Sequence, residues 1–111
     1  MTGYDIYKRA VDELSGGETA ENTVFSLPES ALGIVNDIGS DLIEGFATDD
    51  IFEEITVEKS VIPAFTYGIA MMISALTGLY EKNAFFTELY NLKRSAVKAS
   101  VGRIKNVVPT A

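Results

Sequence analysis

Residues 60–80 read SVIPAFTYGIAMMISALTGLY, 21 positions without a charge in a chain whose net charge is −7. An apolar rod of that length must be shielded from water by lipid, by the rest of its own fold, or by another copy of the molecule. The length suits a membrane span, which needs about 20 uncharged residues. The details suit one poorly. Pro63, Thr66, Gly68, Ser74, Thr77 and Gly78 dilute the run, and Lys59 on one side against Lys93 and Arg94 on the other give no positive-inside signal. The reading adopted is a central helix, opened by Pro63, stopped at Thr77-Gly78 and buried on all sides. Four short helices cannot shield the whole circumference of such a rod. The apolar surface left over therefore predicts contact with identical copies.

The neighbours of that rod are legible from spacing. In residues 3–14, Tyr4, Tyr7, Val11 and Leu14 recur at three and four, which places them on one helical face. Thr2 is the expected N-cap, Asp5 belongs in the first turn, and Ser15-Gly16-Gly17 ends the helix. Ser26-Leu27-Pro28-Glu29 has the form of a capping box with proline in the first turn. It predicts a second helix to about Glu44, with Ala31, Val35, Ile38 and Leu42 as its buried stripe. Gly33 and Gly39 are read there as close-packing positions. Residues 45–60 form a connection in which Ile55-Thr56-Val57 is β-branched but has no evident partner strand. Asn83 is the expected cap of a last helix over about 84–99, with Phe86, Leu89, Tyr90, Lys93, Ala96 and Val97 recurring along it. Gly102 should then break the helix and leave residues 102–111 as an arm that packs onto something else. The expected architecture is all-α: a helical domain over 1–101, built as a small bundle of about four helices, with an extended C-terminal docking arm over 102–111.

Composition narrows the chemistry. The chain has no cysteine and no histidine, which removes disulfides, zinc-thiolate sites, thiol nucleophiles and the commonest general base and metal ligand. Ser and Thr hydroxyls then lack their usual activating partner. The pairs Asp49-Asp50 and Glu53-Glu54 are adjacent in sequence, and adjacent side chains point apart, so they read as a solvated acidic loop. Glycine-rich phosphate loops are missing. No catalytic, cofactor or metal site is expected, and the start MTGYDIYKRA has no apolar segment of the secretory kind. Charge is split between the halves. Residues 1–60 hold 14 acids and three bases, whereas residues 61–111 hold six bases and two acids. That asymmetry suggests an oriented interaction surface rather than a general nucleic-acid binder, which would be basic throughout.

Residues 67–109, YGIAMMISALTGLYEKNAFFTELYNLKRSAVKASVGRIKNVVP, resemble the C-terminal half of the head–tail connector proteins of tailed bacteriophages, also called adaptor or head-completion proteins. The likeness lies in the apolar helix around PAFTYGIAMMIS, the EKN turn, the helix FFTELYNLKRSA and the basic arm RIKNVVP. The opening TGYDIYKRAVDEL is similar to the first helix of such proteins. The resemblance implies a mostly helical, non-enzymatic virion subunit, made in the host cytoplasm and located in the neck. Such subunits form a homo-oligomeric ring, typically of twelve copies, between the portal protein and a tail or neck protein. DNA passes through the ring without specific binding. Carried onto this chain, the ring-hub helices would include Tyr67, Met71, Phe86, Tyr90 and Arg94. The docking arm would present Arg103, Ile104, Lys105, Val107, Val108 and Pro109 to the portal or a neighbouring subunit. A single-span membrane protein using residues 60–80, or a small acidic helical interaction module, are the alternatives.

Overall fold

The computed structural model describes residues 1–15 and 30–107, with side chains through residue 99. Among these residues lie four helices, α1 (Gly3–Leu14), α2 (Ala31–Leu42), α3 (Ile62–Leu76) and α4 (Tyr80–Val107). The only β-type pairing among them is an isolated antiparallel bridge between Thr2 and Glu54. The chain is thus the small all-α bundle that its periodicities predict.

Each helix end has a local cause. At the start of α1, the Asp5 backbone N–H donates to Thr2 Oγ1 at 3.1 Å, and the Thr2 N–H donates to Asp5 Oδ2 at 2.8 Å. This reciprocal box satisfies two donors that the first turn would otherwise leave free. In α3, Pro63 lies in the first turn, where its missing N–H costs nothing. The end of α3 is a Schellman motif. Gly78 adopts φ +73°, the Leu79 N–H donates to the Ser74 carbonyl at 2.9 Å, and the Gly78 N–H donates to that of Ala75 at 3.4 Å.

Three boundaries differ from the sequence reading. The Ser26–Glu29 box lies outside the described residues. The described part of that helix begins at Ala31, with no side-chain cap bond from Ser30, and ends at Leu42 rather than Glu44. α4 begins at Tyr80 rather than after Asn83. The Asn83 N–H donates to the Leu79 carbonyl at 2.8 Å, and its side-chain amide donates to the Met71 carbonyl at 2.9 Å, so Asn83 joins α4 to α3 instead of capping. Finally, α4 runs through Gly102 to Val107. A lone interior glycine weakens a helix by about 1 kcal/mol and need not stop it. Backbone 102–107 is therefore helical where a break was expected. Of the predicted arm, residues 108–111 lie outside the described residues.

α3 is the hub, with α1, α2 and α4 all packed against it. Its Ala64, Phe65, Ile69 and Ala70 are fully buried, facing Ile6, Leu14 and Val35 among others. The stripe Ala31, Val35, Ile38 and Leu42 of α2 is buried as its spacing predicts. Burial of α3 is not complete, however. Tyr67, Met71 and Met72 are half-buried, and Leu76 is 67% exposed at its end. Three neighbours cover most of the rod's circumference but leave its C-terminal turn open. With 15 residues, α3 is only about 22 Å long, against roughly 30 Å of bilayer hydrocarbon. No described helix is long and apolar enough to cross a membrane.

The connection between α2 and α3 is pinned rather than loose. The Asn36 side chain donates to the Thr48 carbonyl and accepts from its N–H, both at 2.9 Å. The Tyr4 N–H donates to the Ile51 carbonyl at 2.8 Å, and Ile51 is buried against α1. Of the two glycines read as close-packing, Gly39 is one: an added Cβ would lie 2.3 Å from the Phe46 ring. Gly33 is not, because it faces open space.

Candidate interaction surface

α4 carries two apolar stripes on different sides. The inner one, Phe86, Tyr90 and Val97, is buried in the seam with α3. The outer one, Phe85, Leu89, Leu92, Ala96 and Ala99, follows an unbroken four-three spacing. One helical face repeats at that interval. Phe85 is 57% exposed and Leu92 66%, whereas Leu89 between them is half-buried against the core. Leu76 and Tyr80, exposed at the α3–α4 corner, add to the apolar surface at that end. Glu81 and Glu88 lie on the stripe's side of α4, Glu88 one turn before Leu92, whereas Lys98 lies toward Asp41 on the other side of the helix.

The inner seam explains why α4 presents that outer face and no other. Gly68 of α3 lets the helices approach, since an added Cβ there would lie 2.7 Å from the Tyr90 ring. Tyr67 and Phe86 stack across the seam with ring centres 6.1 Å apart. Further along, Asp41 at the end of α2 holds α4 by two residues. Its carboxylate takes Arg94 Nε at 2.6 Å and an Arg94 terminal nitrogen at 3.0 Å, and it also accepts from the Tyr90 hydroxyl. The Arg94 bonds, with help from Tyr90, keep the Asp41 carboxyl below the ordinary carboxylate range. Burial, reinforced by Asp41, pushes the Tyr90 phenol above its ordinary value. At the other end, the Lys82 ammonium donates to the Leu14 carbonyl and ties α4 to α1.

A pH dependence follows from the Asp41 clamp. A carboxyl whose acidity is strengthened by folding stabilises the native state above its unfolded value, about pH 4, and loses that contribution as pH falls through the folded value. Asp41→Asn should therefore flatten the decline in unfolding free energy below about pH 4. Urea titrations of both proteins across that range measure it, and equal slopes would contradict it.

The residues expected at a ring hub separate into two groups. Phe86 and Tyr90 are core residues of the single chain, and Arg94 is committed to Asp41. Tyr67 and Met71 are half-buried on α3. Within the helix expected at the hub, the large apolar side chains left exposed are Phe85 and Leu92, which the sequence reading did not single out. The signal was present. Phe85 directly precedes the core residue Phe86, and Leu92 stands seven residues after Phe85, so a second face was readable beside the first. Arg103, Ile104, Lys105 and Val107 belong to the helical backbone of α4, whereas Val108 and Pro109 lie outside the described residues.

A shallow groove of about 320 Å³ between α1 and the start of α3 is walled by Arg9, Asp12, Glu13, Pro63 and Tyr67. Thr66 also lines it, and its Oγ1 has no hydrogen-bond partner among the described residues. The acidic pairs of the connection are exposed, and no group of three or more Asp or Glu among the described residues could hold a metal ion. Comparisons with protein-family models, curated proteins and solved structures return no match.

Proposed function

We infer that this chain is a structural subunit that works in multiple copies and acts through its surface. The setting that fits is the neck of a tailed bacteriophage. There the protein would serve as a head–tail connector, a ring that docks on the portal, continues the DNA channel and receives a tail or neck protein. The observation that carries the reading is the exposed outer stripe of α4, whose Phe85 and Leu92 stay in water although the same helix buries Phe86 and Tyr90. A monomer has no use for such a row, and exposed rows of large apolar side chains mark contact sites. The split of charge between the acidic first half and the basic second half of the chain supports it, because complementary charge steers partners into one register. The likeness of both ends of the chain to connector proteins points to the same setting.

The test is electron microscopy of the purified full chain, alone and after mixing with portal-bearing capsids. Rings, or added density beneath the portal, are expected. Protein that stays monomeric and ignores the capsids would overturn the reading and leave a small acidic interaction module in its place.

A further inference from the structure

We propose that the groove between α1 and the start of α3 binds a primary amine on an aliphatic stem, the chemistry shared by a lysine side chain and a free diamine. Such binding is independent of the multi-copy reading above. Thr66 supplies the first observation. It lines the groove yet is only 6% exposed, and its Oγ1 has no hydrogen-bond partner among the described residues. Serine and threonine hydroxyls inside a helix commonly bond back to a carbonyl one turn earlier. Two others on this stretch do so: the Ser74 hydroxyl donates to the Met71 carbonyl and that of Thr77 to the Ile73 carbonyl, both at 2.8 Å. The Thr66 hydroxyl is left for a group from outside the helix. A buried hydroxyl without a partner costs free energy until such a group reaches it.

Charge selects a cation. Arg9, Asp12 and Glu13 wall the groove from α1. Asp12 and Glu13 stand three and four residues after Arg9, the spacing at which ion pairs form on a helix. None of the three forms an ion pair among the described residues. Two carboxylates against one guanidinium leave the groove negative. Residues 1–60, with 14 acids and three bases, strengthen that field. An ammonium is therefore favoured over a carboxylate or a phosphate. It carries three donors and no acceptor, so it can give to the two carboxylates and to the Thr66 oxygen together. The rest of the wall suits a stem. Pro63 and the Tyr67 ring are apolar, and that ring is held by its stack on Phe86, with centres 6.1 Å apart. Methylenes lie well along such surfaces, and a ring face attracts a cation. A volume of about 320 Å³ admits a short methylene chain with its ammonium.

Titration of the full chain with cadaverine, followed by NMR, tests this. Saturable shifts at Thr66, Tyr67 and the facing turn of α1 are expected, together with a urea midpoint that rises with amine concentration. A lysine peptide blocked at both ends forms a second arm. Binding of the peptide alone identifies a protein's lysine as the source, and binding of cadaverine alone identifies a free diamine. Asp12→Asn and Glu13→Gln should each weaken binding about threefold, and Arg9→Gln should strengthen it by a similar factor. Thr66→Val keeps the shape of the side chain. It should weaken binding about fivefold while raising the urea midpoint of the amine-free protein. Thr66→Ser keeps the hydroxyl and should keep the affinity. A Val variant that binds as well as the unaltered chain, or a Ser variant that binds as poorly as Val, would overturn the proposal, since the hydroxyl would then serve packing only. Acetate that moves the same signals in place of the amines would overturn the choice of a cation. The absence of any saturable shift below about 50 mM amine would remove the site altogether.

Discussion

Replacing Phe65 by Ala is expected to lower the unfolding free energy by about 3–5 kcal/mol, the range for truncating a buried phenylalanine. Phe65 is 0% exposed and belongs to the helix on which the other three pack. Its ring meets that of Phe46 edge-on, with centres 5.5 Å apart, and Phe46 in turn covers Gly39 of α2. Truncation therefore removes apolar burial and also opens a void that α3, held on three sides, cannot close. A domain of this size has roughly 5–15 kcal/mol in total. The variant should retain helical content only in mild conditions, with a urea midpoint far below that of the unaltered protein. A loss under about 1 kcal/mol would mean that Phe65 is not at the centre of the core.

The same substitution at two glycines should act with opposite sign. Gly68→Ala is expected to destabilise by about 1–3 kcal/mol, the usual cost of overpacking a filled site. The new Cβ would lie 2.6 Å from Ile38 Cγ2 and 2.7 Å from Tyr90 Cε1. Both neighbours are buried, at 4% and 5% exposure, so neither can swing away freely. Displacing Tyr90 also pulls its hydroxyl from Asp41. Gly33→Ala meets nothing within 4 Å on an exposed turn of α2. It should stabilise by about 0.5–1 kcal/mol, because alanine loses less conformational freedom than glycine on entering a helix. Urea titrations of the pair measure both signs at once. Equal signs would contradict the packing described for Gly68.

These glycines also show where reading from sequence stops. Of Gly33 and Gly39, one faces water and the other lies under a ring. Spacing already separates them, since Gly39 stands four after Val35 and three before Leu42 while Gly33 stands four before the exposed Asp37; what spacing cannot give is the ring over Gly39, which belongs to Phe46 beyond the helix. The start of α4 differed for the same reason. Asn83 is a good capping residue by type, but its amide found the Met71 carbonyl across the corner between α3 and α4. By contrast, the Thr2–Asp5 box and the Gly78 stop depend on residues a few positions apart, and both stand as the sequence indicates.

For the surface, spacing alone marks two apolar faces on α4 but cannot rank them. Phe86 and Phe85 are chemically identical and adjacent; only the approach of α3, made possible by Gly68, turns one inward at 3% exposure and leaves the other at 57%. What the amino-acid order determined by itself was the all-helical class, the apolar central rod, the ends of α1 and α3 and the want of histidine and cysteine chemistry, because periodicity, caps and composition act over a few residues. What tertiary structure alone decided was which of the two apolar faces of α4 stays wet, since that depends on side chains far apart in the chain meeting within van der Waals distance.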